Sequence, residues 1–309
     1  MSQGEHPVQL FFYTMLVALG IVGNSLVIWI VLDTARAANT IPSSDFILLN
    51  IAVVNLLISL TRNTLLLALD IGYTFSMSDG ACRILMCIWV WFRCVGVWVT
   101  LCLSFFHFMV IRSSHSALGK INERRNVIVI VAVLWALNLL YSSTALALTS
   151  NTSTNISSLV VISSTIRPLL GCVWIFSTDT AALFYGILSF IVHEIIPIFL
   201  MVITNCGTLF LLYKHHRQVH RADIAITRVE SEWKAAKTIL ALILLFVFCW
   251  GTHIVSVNYY NFYSSSSTRY MLIIARFSAS GFLGFYPLVV TFGHSKLKML
   301  FWRKQNEVS

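Results

Sequence analysis

A chain of 309 residues with 58% hydrophobic and 11% charged residues, at a mean hydropathy of +0.82, does not have the polar content to coat a soluble globule or to stay disordered. Seven cysteines over this length are too sparse for a secreted disulfide scaffold. The net charge of +9 raises nucleic acid as a partner, and the placement of the basic residues decides that question.

Crossing a hydrocarbon core takes about 20 helical residues, and seven apolar runs are long enough: 9–32, 45–69, 82–111, 127–148, 184–213, 236–261 and 270–292. The predicted fold is an all-α membrane protein, one seven-helix transmembrane domain spanning 1–309. Met1 to Pro7 has no basic region, and the first run is too long for a signal peptide and lacks a small-residue cleavage site, so no cleaved signal peptide is expected. The second run carries Asn55 and Arg62. The third opens on Cys82, places Arg93 eleven residues on, about 16 Å at the helical rise, and ends in Phe106-His107-Phe108 and Arg112. After the fourth run comes a loop, 149–183, that holds both N-x-[ST] sequons, at Asn151 and Asn155, and Cys172. The fifth run contains His193 and Glu194 and leads into a basic stretch from Lys214 through Arg217. Lys234 lies just before the sixth run and Lys237 at its start; that run carries Trp250 and His253, and Arg276 lies in the seventh.

Of the 21 basic residues, fifteen fall in or beside the first, third and fifth connections or in the tail, whereas the other side has Arg83, Arg167 and Arg269. The positive-inside rule then puts the N-terminus outside and the tail in the cytoplasm. The basic residues are accounted for as cytoplasmic flanks facing anionic lipid, and nucleic acid falls away as a partner. Two features agree. Both sequons share one outside loop, where Asn151 and Asn155 are candidate glycosylation sites. Cys82 and Cys172 are the two cysteines facing an oxidising compartment, which predicts a disulfide between them.

Ionisable residues at membrane depth are costly and usually functional or paired. Arg62, Arg93, Arg276 and Glu194 qualify. Three cations against one carboxylate leave a positive interior that an anionic small molecule would complete, with Arg93 as the principal anchor and His193 or Arg276 as the second contact. An alternative has Arg62 and Arg276 snorkelling to the interface and Arg93 forming a structural pair with Glu194. Trp89, Trp98, Tyr185, Trp250, His253, Tyr259 and Tyr260 are the candidate pocket aromatics, Trp250 ahead of the rest; Trp89 also suits the headgroup belt. His193-Glu194 opens a zinc-protease pattern, but Pro197 occupies the second ligand position, so neither enzyme, metal nor cofactor is expected. A transporter is the rival from another class; the halves show no repeat that would support it.

Several stretches resemble the rhodopsin-like class of G protein-coupled receptors: Gly23-Asn24-Ser25-Leu26-Val27, Asn55 where an Asp is usual, and Phe246-x-x-Cys249-Trp250. Phe106-His107-Phe108 replaces that class's acidic-Arg-Tyr signature, Thr252 a usual Pro, and the seventh helix lacks Asn-Pro-x-x-Tyr. A nearer resemblance is to vomeronasal type 1 receptors and the fish olfactory receptors of class A. It is carried by Asn55 to Arg62, by Cys82, Arg93, Thr100, Ser104 and Phe106, by Lys214 to His220, by Trp233 to Leu242 and by Tyr286-Pro287. His294 to Lys298 instead looks like bitter taste receptors, which keeps that group as the alternative. The resemblance implies a chemosensory receptor in the plasma membrane that binds an odorant or pheromone. It also implies coupling to a heterotrimeric G protein at the cytoplasmic ends of the third, fifth and sixth helices, where His107, Arg112, Lys214, Arg217, Lys234 and Lys237 lie.

Overall fold

The computed structural model describes residues 7–75, 77–113, 124–151, 169–222, 226–263 and 270–293, with backbone alone at 113, 215–222, 226–236 and 292–293. Helix α1 is Pro7–Ala38. Helix α2 runs as Ser43–Ile58, a π-helical turn Ser59–Asn63 and Thr64–Ile71. Helix α3 is Asp79–Ser113, and α4 joins Arg124–Ser142 to Thr144–Leu148. Helix α5 runs as Asp179–Phe190, a second π-helical turn Ile191–Ile195 and Ile196–Ala222; α6 is Ile226–Phe262 and α7 Tyr270–Gly293. All seven are long and apolar enough to cross a membrane. They form the seven-helix bundle that the hydropathy predicts, and several run well past their apolar segments, because a helix is free to continue into the polar phase once its backbone bonds are made.

Local chemistry sets the ends. Gly72 caps α2 at φ 106°, a left-handed value that glycine takes without a Cβ penalty. Thr178 caps α5, its Oγ1 accepting from the Ala181 N–H at 3.2 Å, with Asp179 in the first turn facing the positive end of the helix dipole.

The interior is knitted by buried polar groups as well as by apolar packing around α3. Pro287 inside α7 has no N–H, so the carbonyl of Leu283 four residues earlier loses its helical donor. Asn24 of α1 replaces that donor, its Nδ2 reaching the Leu283 carbonyl at 2.9 Å. Gly23 makes the approach possible, since a Cβ there would lie 2.7 Å from the Pro287 ring. The Tyr286 hydroxyl donates to the Leu48 carbonyl of α2 at 2.7 Å. Ser104 of α3 meets Thr204 at 2.5 Å and donates to Asn205 at 3.3 Å, fixing α3 against α5. Outward-facing Phe12, Val22, Leu140, Phe184, Phe199, Phe210 and Phe248 are all more than half exposed, the surface that lipid would cover.

One end carries the predicted disulfide, Cys82–Cys172. There β1 (Thr149–Ser150) pairs antiparallel with β2 (Val173–Trp174), Thr149 opposite Trp174. Asp79 accepts from the Ser150 hydroxyl and the Asn151 N–H, both at 2.9 Å. Asn151, the first sequon asparagine, is exposed and its side-chain amide donates to the Met77 carbonyl; Asn155 lies outside the described residues. Just before Cys172, Leu170 and Gly171 both take left-handed φ, 55° and 83°. For a leucine that is a rare conformation, held here by the Leu169–Cys172 bridge and the disulfide.

Candidate functional site

Between α1, α2, α3, α6 and α7, at the disulfide end, the bundle encloses a cavity of about 260 Å³. Tyr13, Arg62, Trp89, Arg93, His253, Arg276 and Phe277 line it, and Leu169 and Leu170 of the turn before Cys172 close over it. Five residues singled out by the sequence, Arg62, Trp89, Arg93, His253 and Arg276, therefore converge. Both π-helical turns carry buried charge. One holds Arg62 and Asn63, the other His193 and Glu194. The extra residue in a π turn rotates the side chains of that turn relative to a regular helix, and in both turns the rotated groups include a buried charged one.

Arg93 and Glu194 form a buried ion pair at 3.3 Å, side chains 2% and 0% exposed. The Arg93 guanidinium also lies 4.7 Å from the Trp250 ring centre and 5.9 Å from that of Trp89. Arg62 sits 4.7 Å from the Trp89 ring and donates to Asn63 Oδ1 at 3.1 Å; Asn63 accepts in turn from Ser280 of α7 at 3.4 Å. These are cation–π arrangements, which become worth more as the groups leave water. Trp89 is thus buried inside the bundle beside two guanidiniums instead of facing outward. His253 donates from Nδ1 to the Ala275 carbonyl at 2.8 Å, so its ring orientation is fixed by α7.

Arg276 corrects the charge count. Its two terminal nitrogens bind both carboxylate oxygens of Asp70, Nη1 to Oδ1 at 2.9 Å, and its guanidinium lies 3.8 Å from the Tyr13 ring centre. Asp70 falls just past the second apolar run, 45–69; α2 continues through it to Ile71, and its carboxylate meets Arg276 of α7. Among the described residues the inward-facing balance is three arginines against two carboxylates.

His193 and Glu194 lie elsewhere. The Trp98 indole donates to His193 Nδ1 at 3.2 Å, and the His193 ring is 4.2 Å from that of Tyr141. Tyr185, Trp174 and Phe176 extend this aromatic group. His193 is therefore away from the cavity lining, and Glu194 reaches the cavity through Arg93. Tyr259 is 41% exposed and faces outward. Trp250 lines a smaller chamber of about 20 Å³ beneath the main one and stacks on Phe246 at 5.5 Å. The sequence reading missed Asp70, Tyr13 and the Leu169-Leu170 pair; of these, only Asp70, a carboxylate at the rim of an apolar run, left a signal. At the opposite end Arg112, Lys214 and Lys237 are exposed, and His107 packs edge-on to Phe106 with ring centres 5.6 Å apart. The side chains of Arg217 and Lys234 lie outside the described residues.

Over residues 23–285 the sequence matches the family described as 7 transmembrane receptor (rhodopsin family). It is 43% identical over 296 residues to olfactory receptor class A-like protein 4 of Danio rerio, covering 93% of this chain and 86% of that protein. More distant similarities are to melanopsin of Rutilus rutilus, 23% identical over 90% of this chain and 54% of that protein, and to C-X-C chemokine receptor type 2 of Mus musculus, 25% identical over 77% of this chain and 58% of that protein.

Proposed function

The chain belongs to the rhodopsin family of 7 transmembrane receptors, and we propose that it is a chemosensory receptor for a small organic anion, an odorant or pheromone, which couples to a heterotrimeric G protein. That family is one of receptors, not of enzymes. The observation that carries the ligand class is the cavity itself: three guanidiniums line about 260 Å³, and two carboxylates offset two of them. A monoanion supplies the remaining negative charge. Its carboxylate or sulfate takes charge-assisted hydrogen bonds from Arg62 and Arg93, and its body fills the space beneath Leu169 and Leu170.

The same contacts supply a route for signalling. Arg93 joins three helices, through Glu194 to α5 and through its stacking on Trp250 to α6. An anion that draws the guanidinium toward α2 weakens both ties, so bound and free receptor favour different arrangements of α5 and α6. Their far ends, with Arg112 of α3, His107, Lys214, Arg217, Lys234 and Lys237, form the G-protein face in this reading. The N-terminus then lies outside the plasma membrane, where Asn151 and Asn155 are glycan acceptors. Replacing both by Gln removes a glycosidase-sensitive shift on gels; a shift that persists refutes the topology. The kinship with an olfactory receptor favours this reading over a bitter-taste one.

The functional test is a screen of acids, amines, steroids and neutral volatiles in cells with a G-protein readout. Acids should dominate the hits. A receptor driven by amines alone, through Glu194, refutes the anionic site. The second reading, Arg93–Glu194 as a purely structural pair, is favoured by the near-complete burial of both side chains. It is separated by measuring surface level beside potency in Arg93→Ala and Glu194→Gln.

A further inference from the structure

The chamber beneath the main cavity measures about 20 Å³, room for one water-sized occupant. Arg62, Trp89 and Arg93 line both spaces, so they form a shared waist. Below the waist the lining is apolar except for Asn55 and Trp250. Those two residues, 2% and 7% exposed, each carry a buried N–H without an acceptor among the described residues, Asn55 Nδ2 and Trp250 Nε1.

The balance of donors and acceptors identifies the occupant. Guanidinium and indole groups only donate, and the Asn55 amide oxygen is the one acceptor among the side chains lining the chamber. A water molecule brings two protons into that setting and finds one side-chain acceptor. A halide brings none and accepts from every donor. A cation would meet two guanidiniums.

We propose that this chamber is a binding site for a small monoatomic anion, chloride first among them, held by the N–H groups of Asn55 and Trp250 below and by Arg62 and Arg93 above. The site goes beyond the proposed organic ligand, with which it shares two arginines. Negative charges on either side of one waist repel, so chloride and an acidic agonist weaken each other's binding reciprocally.

The test needs no organic ligand. The purified full-length receptor is unfolded thermally while chloride replaces gluconate at constant sodium and ionic strength. The midpoint should rise saturably by about 2–4 °C, bromide should act alike, and Trp250→Phe and Asn55→Asp should abolish the rise. A flat midpoint in the wild-type receptor, or a rise that both variants keep, overturns the site. Should a variant fail to fold, chlorine NMR line broadening by the wild-type receptor, relieved by bromide, serves instead; its absence is equally decisive. Acids that activate a receptor indifferent to chloride would sink this site and spare the ligand proposal. Chloride stabilisation in a receptor deaf to acids would do the reverse.

Discussion

The two flanks of α3 at the disulfide end use similar rings and reach opposite outcomes. Toward α4 and α5, Tyr141, Tyr185 and His193 pack ring on ring, with centres 4.2 to 6.0 Å apart, and Trp174 and Phe176 cap them. Toward α2 and α7, Tyr13, Trp89 and Trp250 each present a face to a guanidinium, and the 260 Å³ cavity lies among them. Neutral rings gain by closing on one another. A ring already facing a cation has no such partner on that side, and cations of like sign hold apart, so charge keeps volume open where neutral aromatics would fill it.

The sharpest break would come from the closed flank. Tyr141→Ala removes a ring from a packed group and should cost about 3–5 kcal/mol of stability, read as a fall in thermal midpoint and surface level. Receptors that reach the surface should keep their acid potency; a large potency loss at normal stability would make the closed flank the binding site. On the open flank, Arg93→Ala should cost about 2–5 kcal/mol of acid binding, a potency loss well over tenfold, and Arg93→Lys should restore part of it. Unchanged potency in a well-expressed Arg93→Ala receptor removes the anchor. Cys82→Ala, which frees the turn that closes the cavity, should cost about 2–4 kcal/mol and lower surface expression, whereas Cys87→Ala should not. The smallest effect is expected from Asp70→Asn. It removes the carboxylate that competes for Arg276 at a cost of about 1 kcal/mol or less in stability, and acid potency should rise a few-fold. A fall in acid potency there would mean that the Asp70–Arg276 pair shapes the cavity instead of competing for the ligand.

Much of this was legible from the residues in order. Apolar runs of spanning length give the seven helices because a bilayer sets a minimum helix length. The two cysteines on one side of the charge asymmetry give the disulfide. The depth of Arg93 follows from its distance in sequence from Cys82. Facing was not legible. Hydropathy is blind to π turns, since an extra residue changes no average, and those turns decide that Arg62 shares a cavity with Arg93 while His193 turns toward Trp98. Nor does sequence order show that Asp70 and Arg276, 206 positions apart, meet at the rim.

A π turn is also the trace that a single added residue leaves in a helix, the rest of the helix keeping its course. Both such turns here sit at charged positions, in α2 and α5, while the ties of Asn24, Tyr286 and Ser104 lie on regular helix. One residue added or deleted at either turn would change which charged side chain faces the bundle while those ties stay in place. In each of these two helices the stretch that sets the charge chemistry is one turn long, and regular helix continues on either side of it.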